Sequence, residues 1–272
     1  MILNYRDNRI SILGRKGKIG SFLSTYFIRN NFEVMTYDLK ADFNELIDFN
    51  PSILINCLGR GTDVRFPISN YEIWNSNFYL PSEYLEFAAS RSVRFISLGS
   101  LLEKELDFAS TYIESKRALT SKISRMYSSG ANVTSILVPI VYGLSYEHIL
   151  IEDLIDAYKT SQPVKLESPK ATREFINIQD LARIIEKVVQ REFLEVSTFE
   201  VGSGTGYQLS DLCNQVLVDR VSPTWVSSPS EERTNIFRIV ADNQFLNENL
   251  KVSLDVDLIK WIQGSKNLER LY

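Results

Sequence analysis

A tyrosine and a lysine four positions apart, Tyr112 and Lys116, form the pair in this chain best suited to acid–base chemistry. Residues four apart lie on one face of an α-helix, so the two side chains can share a site. A phenol has an unperturbed pKa of about 10, and a nearby ammonium group favours its charged form. We therefore expect Lys116 to lower the pKa of Tyr112, which would then transfer a proton near neutral pH. Taken alone, the pair also fits a solvated helix face.

A glycine-rich segment near the start of the chain predicts a dinucleotide site. It follows an apolar strand at 9–13 and precedes a helical pattern, and a second strand at 32–37 ends at Asp38, 18 residues beyond the last glycine. Such glycines let the backbone approach a pyrophosphate, and the free N–H groups of the helix N-terminus face the phosphates. The alternative is a purely structural turn. The segment consists of Gly14, Arg15, Lys16, Gly17, Lys18, Ile19 and Gly20.

Strand and helix patterns continue to alternate beyond this segment. Buried strands are predicted at 51–59, 93–98 and 133–138, with helices at 70–90 and 110–128. This alternation predicts an α/β fold with a Rossmann-type doubly wound parallel sheet.

We expect two structural units. Residues 1–142 together with 177–202 are predicted to form the dinucleotide-binding Rossmann domain. Residues 143–176 together with 203–272 are predicted to form a smaller α/β lobe that closes over the crevice and holds a substrate.

The composition argues against several classes of function. The chain has 272 residues, of which 44% are hydrophobic and 24% charged, and its formal charge of −4 gives no nucleic-acid footprint. No apolar run approaches the roughly 20 residues of a membrane span. Two cysteines, Cys57 and Cys213, and the single His148 support neither a disulfide framework nor a metal cluster. We expect a cytoplasmic protein that binds no nucleic acid, membrane or metal.

The motifs together resemble those of the extended short-chain dehydrogenase/reductases, the NAD-dependent epimerase/dehydratase family of sugar-nucleotide enzymes. The resemblance extends over nearly the whole chain, and its marks occur in the family's order. These marks are the glycine loop, Asp38, 56–59, Asn77, 94–100, Tyr112 with Lys116, 139–143, 173–180 and 199–204.

The resemblance implies roles for individual residues. Tyr112 would be the general acid or base, Lys116 would bind the nicotinamide ribose and lower the Tyr112 pKa, and Ser100 would polarise the reacting oxygen. Ser97 competes with Ser100 for that role. Arg173 would grip the diphosphate of the substrate through its bidentate fork. The implied cofactor-binding residues are Gly14, Arg15, Lys16, Gly17, Lys18, Ile19, Gly20, Asp38, Leu58, Gly59, Arg60, Asn77, Tyr112, Lys116, Pro139 and Val141.

Three features resemble sugar-nucleotide 4-ketoreductases. The short connection from Asp38 to Pro51 is similar to dTDP-4-dehydrorhamnose reductase, the glycine loop to GDP-fucose synthase, and the overall shortness to CDP-abequose and CDP-paratose synthases. The implied activity is NAD(P)H-dependent reduction of a nucleotide-linked 4-keto-(di)deoxy sugar in surface-polysaccharide sugar biosynthesis. The alternatives are an NAD-dependent sugar-nucleotide 4-epimerase and a non-catalytic dinucleotide-binding sensor or scaffold. A dehydratase is disfavoured, because the family's Asp-Glu pair is replaced by Leu101 and Leu102.

The sequence leaves alternatives for the cofactor and for the apolar residues of two helices. Asp38 accepts the 2′-hydroxyl of NAD, whereas Arg15, Lys16 and Lys40 can pair with a 2′-phosphate. We expect NADPH, with NADH or NAD as the alternative, and a nucleotide-diphosphate sugar as substrate. The resemblance implies a homodimer built on the helices that contain Asn77 and Tyr112. Six apolar residues form either that interface or ordinary core: Phe78, Tyr84, Leu85, Leu119, Ile123 and Met126.

Overall fold

The computed structural model describes residues 8–39, 42–61, 68–106, 110–144, 150–166, 168–218, 224–227 and 238–264. Its central sheet has six parallel strands. In spatial order they are β2 (Glu33–Tyr37), β1 (Arg9–Leu13), β3 (Ile53–Asn56), β4 (Arg94–Ser100), β5 (Val133–Val138) and β10 (Thr198–Glu200).

The order of the strands places a crevice at one edge of the sheet. The chain adds β2 on one side of β1 and then crosses to add β3, β4 and β5 on the other side. The register aligns Leu13 with both Tyr37 and Asn56, so the first three strands end together. In open α/β sheets, ligands bind beyond the carboxyl ends of the strands at such a reversal.

Helices cover both faces of the sheet, and this explains why every residue of β3, β4 and β5 is buried. One apolar core, which includes Ile10, Phe27 and Ile185, lies under the helices at 18–29 and 178–189. The opposite core, which includes Tyr84 and Leu119, lies under those at 80–90 and 111–128. These helices are α1 (Lys18–Arg29), α2 (Phe43–Phe49), α3 (Asn70–Trp74), α4 (Leu80–Ser90), α5 (Thr111–Ser128) and α7 (Ile178–Val189).

The predicted helix over 70–90 is interrupted by a π-helical turn, Asn75–Tyr79, between α3 and α4. Pro81, two residues beyond this turn, has no backbone N–H to donate to the carbonyl of Asn77, so the regular helical pattern is broken where the turn widens. The predicted helix at 110–128 begins at Thr111, and Ser110 caps it by accepting the N–H of Ile113 at 3.2 Å.

The C-terminal half adds small sheets and a third apolar core, which contains Ile151, Leu212 and Ile262. This core draws on both stretches predicted for the substrate lobe, while the division into two domains at 142 and 202 stays a prediction. The additional elements are β6 (Ile140–Tyr142), α6 (Leu150–Thr160), β7 (Val164–Leu166), β8 (Thr172–Arg173), β9 (Phe175–Asn177), β11 (Tyr207–Gln208), α8 (Leu209–Val216), β12 (Trp225–Ser227), β13 (Arg238–Ile239), α9 (Leu258–Gly264), a 3-10 helix (Leu101–Lys104) and a second π-helical turn (Leu246–Leu250).

The predicted α/β fold class with a mostly parallel, helix-covered sheet is confirmed. Of the two interpretations of the six apolar residues, the core interpretation fits better: Tyr84, Leu85, Leu119 and Ile123 are almost fully buried within the chain. Phe78 and Met126 pack partly buried against them. None of the described helices is long and apolar enough to cross a membrane.

Candidate active site

The glycine loop is a tight turn that presses α1 against the end of β1. Gly14 has a φ of +89°, a conformation that favours glycine. Its N–H donates to the carbonyl oxygen of Tyr37 at 2.7 Å. A Cβ on Gly20 would lie 2.3 Å from the carbonyl oxygen of Gly14. No side chain caps α1 at Gly17, and its first turn contains no acid, so its N-terminal N–H groups suit an anionic ligand.

Asp38, at the end of β2, is paired with two basic residues of the loop. Lys16 Nζ lies 2.9 Å from Asp38 Oδ2, and Arg15 Nε lies 3.9 Å from Asp38 Oδ1. The hydrogen bond from Lys16 lowers the pKa of Asp38 below its usual value, and both positive charges add to this effect. The structure thus places Asp38, the predicted ribose-binding acid, next to Arg15 and Lys16, two bases predicted to pair with a 2′-phosphate. The third predicted base, Lys40, lies outside the described residues.

A second loop, after β3, is held by the π-helical turn. Asn77 is fully buried; its Oδ1 accepts the N–H of Arg60 at 2.7 Å, and its Nδ2 donates to the carbonyl oxygen of Arg60 at 3.1 Å. Asn77 also donates to Ser115 Oγ on α5 at 3.0 Å. Asn77 therefore ties the backbone around Leu58 and Gly59 to the helix that carries Tyr112.

Lys116 lies beneath that loop with only 6% of its surface exposed. Its Nζ donates to the carbonyl oxygens of Leu98 and Leu58 at 3.1 and 3.3 Å. A Cβ on Gly59 would stand 2.9 Å from Lys116 Nζ, so the missing side chain leaves the ammonium group facing the loop. Burial lowers the pKa of Lys116, and the charge of Glu103 opposes that effect.

A cavity of about 210 Å³ brings three predicted site residues together: Ser100, Tyr112 and Arg173. Pro139, predicted to contact the cofactor, lies in the same wall. Val141 does not, because its side chain is buried in the core under α1 and α7. The other lining residues are Leu101, Leu102, Val138, Ile140, Glu174 and Ile239.

The Ser100 hydroxyl is oriented to donate a hydrogen bond. Its Oγ accepts the N–H of Leu102 at 3.3 Å and forms a side-chain hydrogen bond with Tyr112. Because the oxygen already accepts a backbone proton, its own proton can be directed to the phenol or to a substrate oxygen. Ser97 lies deep in the sheet, where its Oγ accepts from Asn56 Nδ2 at 3.0 Å, and it does not line the cavity.

The expected lowering of the Tyr112 pKa by Lys116 is wrong for this structure. Burial raises the pKa of Tyr112, the hydrogen bond from Ser100 lowers it, and the negative charge of Glu103 raises it. Lys116 directs its ammonium at two carbonyl oxygens instead. The phenol is therefore held in its protonated form, which suits it to donate a proton.

Two neighbouring charged residues line the cavity: Arg173, which ends β8, and Glu174, which lies between β8 and β9. Arg173 donates to the carbonyl oxygen of Thr172 at 2.9 Å, and burial lowers its pKa. The Glu174 carboxylate accepts from Ser203 Oγ, the N–H of Gly204 and the N–H of Ala241 at 3.0, 2.9 and 2.6 Å. Glu174 is engaged as a structural acceptor, and Arg173 is the basic side chain in the cavity wall.

Sequence reasoning missed the apolar wall and two buried acids, Glu103 and Glu174. Leu101 and Leu102 follow Ser100 directly, and in the sequence alone they show only a departure from the family pattern. Ile239 comes from a two-residue strand far along the chain, and no local signal could have placed it in the cavity. Among the residues that the structure covers, no cluster of His, Cys, Asp and Glu is arranged to hold a metal; His148 is not among those residues.

Comparison with known proteins identifies a family and a shared fold. The model of the NAD dependent epimerase/dehydratase family matches residues 10–202. An NAD-dependent NDP-hexosamine 5,6-dehydratase of tunicamycin biosynthesis shares 17% identity, with a TM-score of 0.80 and coverage of 94% of this chain and 95% of that one. L-threonine 3-dehydrogenase from Trypanosoma brucei shares 14% identity, with a TM-score of 0.81 over 94% and 95% of the two chains. UDP-glucose 4-epimerase from Thermotoga maritima shares 16%, with a TM-score of 0.76 over 94% and 96%. At these identities the solved structures establish a common fold.

Proposed function

The chain belongs to the NAD-dependent epimerase/dehydratase family, and we propose that it acts there as an NAD(P)H-dependent reductase. The proposed substrate is a nucleotide-linked 4-keto-(di)deoxy sugar of the kind used in surface-polysaccharide biosynthesis. The observation that carries this proposal is the single cavity in which Ser100, Tyr112 and Arg173 meet beside an apolar wall.

The apolar wall supports a deoxygenated sugar as substrate. Leu101, Leu102 and Ile239 offer no hydrogen bonds, and Glu174 uses both carboxylate oxygens within the protein. A ring hydroxyl buried against such a wall loses its water without gaining a partner, at a cost of roughly 1–3 kcal/mol. Carbon positions that carry hydrogen or a methyl group avoid that cost.

Ser100, Tyr112 and Arg173 have separate roles in the proposed ketone reduction. Ser100 donates its hydroxyl proton in a hydrogen bond to the substrate carbonyl, and Tyr112 transfers its phenolic proton to the oxygen as negative charge develops there. Arg173 pairs with the diphosphate and holds the sugar in the cavity. The nicotinamide cofactor, when bound, supplies hydride. Three features fit such a dinucleotide. The start of α1 has no side-chain cap, Gly14 and Gly20 pack closely together, and Gly59 has no side chain beside Lys116 Nζ.

NADPH is the proposed cofactor. Arg15 and Lys16 are exposed at the end of β2, where an adenosine 2′-phosphate would lie. Asp38 is held by the same two side chains, which offsets its repulsion of that phosphate. NADH, with Asp38 accepting the 2′-hydroxyl, is the competing arrangement.

The epimerase alternative requires Tyr112 to remove a proton before it returns one. Burial raises the pKa of Tyr112 and so opposes this first proton removal, a step that a reductase does not require. A sensor that binds dinucleotide without turnover is the alternative from another class, and the convergence of Ser100 and Tyr112 in one cavity with Arg173 supports an enzyme instead.

One assay tests these possibilities. The protein is mixed with NADPH and either CDP- or dTDP-4-keto-6-deoxyhexose, and absorbance at the nicotinamide band is followed. We expect oxidation of NADPH that falls at least about a thousandfold in Tyr112→Phe, while the control Tyr71→Phe, at a tyrosine that is 70% exposed, retains full rate. Interconversion of two sugar nucleotides without net oxidation would identify an epimerase. Dinucleotide binding without any turnover would support the sensor.

We also propose a homodimer. Tyr79, 49% exposed, is a large hydrophobic residue of the π-helical turn that carries Asn77, at the place where the family resemblance implies an interface. Sedimentation of the purified protein at several concentrations measures the oligomeric state directly.

A further inference from the structure

The apolar walls of the substrate cavity come from two different sheets. Leu101 and Leu102 belong to the 3-10 helix that continues directly from β4 of the central sheet. Ile239 belongs to β13, which pairs with β8 in a separate three-stranded sheet. The spacing between these apolar residues therefore depends on what joins the 3-10 helix to the segment that follows β13.

Lys104, the last residue of the 3-10 helix, makes that connection. Its Nζ donates to Glu200 Oε2 at 2.8 Å and to the carbonyl oxygen of Val240, the residue after Ile239, at 3.3 Å. Glu200 ends β10, the edge strand of the central sheet. The same Glu200 oxygen accepts the N–H of Asp242 at 2.6 Å. We call this arrangement of Lys104, Glu200, Val240 and Asp242 the clasp.

Arg117 on α5 fixes the backbone from which the Lys104 side chain extends. Its Nε donates to the carbonyl oxygen of Glu103 at 3.1 Å, and its Nη2 donates to that of Glu105 at 2.7 Å. A planar guanidinium group that makes two such bonds holds its partner in one orientation. Because the backbone on either side of Lys104 is held to α5, the Lys104 ammonium group sets the position of the segment after β13 relative to the central sheet.

A small apolar cluster joins the same two segments. Its four buried residues are Leu101, Leu137, Ile239 and Ala241, and Leu102 packs partly buried against them. Few apolar contacts hold so small a cluster, so the polar bonds of the clasp affect how closely its members pack. The side chain of Lys104 is 39% exposed and that of Glu200 18%, and an ion pair near the surface adds little to global stability. Loss of the clasp should therefore loosen the cavity wall without unfolding the protein.

We propose that Lys104 is a positioning residue for the substrate. Through the clasp it holds Leu101 and Leu102 at a fixed spacing from Ile239 and so determines how closely the cavity fits its ligand. A close-fitting apolar wall favours carbon positions without hydroxyl groups, because a hydroxyl group there has no hydrogen-bond partner. The identity of the ligand as a deoxygenated sugar rests on the proposed reductase function, whereas the fixed spacing of the walls does not.

The first test is Lys104→Met, which removes the ammonium group and keeps an unbranched side chain. With the sugar nucleotides of the NADPH assay, we expect KM to rise about fivefold while kcat and NADPH affinity each stay within about twofold, because fit is lost and the reacting groups stay in place. Lys104→Arg keeps the charge and the donors and should recover most of the wild-type KM. The control Lys122→Met breaks a similar pair, Lys122 with Glu86 at 2.5 Å between α5 and α4, and should leave KM unchanged.

Glu200→Gln tests the other end of the clasp and replaces Lys104→Met should that variant not fold. Its amide oxygen can still accept the Asp242 N–H, but the negative charge that faces Lys104 is lost, so KM should again rise several-fold. In the double variant the rise in KM should be no greater than in the larger single variant, because both changes remove one interaction. Rises that simply multiply would show that the two residues act separately, and would overturn the proposal.

A second measurement needs no substrate and so separates this inference from the proposed function. Amide hydrogen exchange is followed in peptides that contain residues 101–105 and 239–242. Lys104→Met should speed exchange about tenfold in both segments and leave the glycine loop unchanged. This result supports the fixed wall spacing even if no sugar nucleotide is reduced. Unchanged exchange in either segment, or an equal increase in Lys122→Met, overturns the proposal. Faster exchange with an unchanged KM, in a protein that does reduce the substrate, overturns it as well.

Discussion

Lys16 Nζ lies 2.9 Å from Asp38 Oδ2, so the acid that would select NAD is occupied by a base that would select NADP. This contact makes cofactor choice depend on a pair of residues. The side chain of Lys16 is 80% exposed and that of Asp38 31% exposed, so a ligand can compete for the ammonium group.

Substitutions at this pair should move cofactor affinity in opposite directions. Lys16→Ala should weaken NADPH binding about tenfold and leave NADH binding within about twofold, because one charged partner of the 2′-phosphate is lost. Asp38→Ser should strengthen NADPH binding and weaken NADH binding several-fold. Quenching of protein fluorescence by each cofactor gives both constants. If Lys16→Ala weakens both cofactors equally, the 2′-phosphate does not lie beside Lys16.

The contact between Gly20 and the Gly14 carbonyl predicts a sharp steric effect. In Gly20→Ala the new Cβ would stand 2.3 Å from that oxygen, and both partners are backbone-bound groups that cannot rotate away. The helix must shift, at a cost of about 1–3 kcal/mol, and dinucleotide affinity should fall at least tenfold. Gly61→Ala is the matched control, since no described atom lies within 4 Å of its Cβ. Equal melting temperatures for the two variants would contradict the predicted clash.

The contribution of the Asn77 side chain can be measured against that of Asn75, which lies in the same π-helical turn. Asn77→Ala removes the partners of the Arg60 N–H and carbonyl, and we expect unfolding free energy to fall by about 2–3 kcal/mol. The loop over the cofactor then loosens, so NADPH affinity should drop about tenfold. Asn75→Ala lies two residues earlier in the same π-helical turn and has no comparable side-chain hydrogen bond. Chemical denaturation and NADPH titration of both variants check this; similar losses in the two would implicate the turn itself instead of the Asn77 amide.

The sequence was sufficient for the parts of the site that depend on local backbone geometry. The glycine loop could be found because close packing at Gly14 and Gly20 admits one residue type, and Asp38 because it ends the next strand. Tyr112 and Lys116 could be paired because helical spacing alone puts them on one face. The direction of the Tyr112 pKa shift could not be predicted from that spacing, since burial is the largest cause of the shift.

The rest of the site depends on contacts between distant segments. Glu103 has the appearance of a surface acid in Leu-Leu-Glu-Lys-Glu until the 3-10 helix folds its carboxylate back onto the Ser100 N–H. Ile239 reaches the cavity through β13, which pairs with β8 about 65 residues earlier in the chain. The π-helical turn lies just before Pro81, which has no N–H for the carbonyl of Asn77, but the hydrogen bonds from Asn77 to Arg60 and Ser115 join segments that are distant in the sequence.

Glu174 joins the substrate side of the cavity to two loops that are remote in sequence. Its carboxylate accepts three donors, from Ser203, Gly204 and Ala241. In Glu174→Gln one oxygen becomes an NH₂ group that opposes an N–H donor, which should cost about 2 kcal/mol or more. Because these loops lie beside Arg173 and away from the glycine loop, KM for the sugar nucleotide should rise several-fold while NADPH affinity stays within about twofold. The exposed Glu195→Gln is the control, and a loss of NADPH affinity equal to the rise in KM would show that Glu174 supports the whole fold instead of the substrate side.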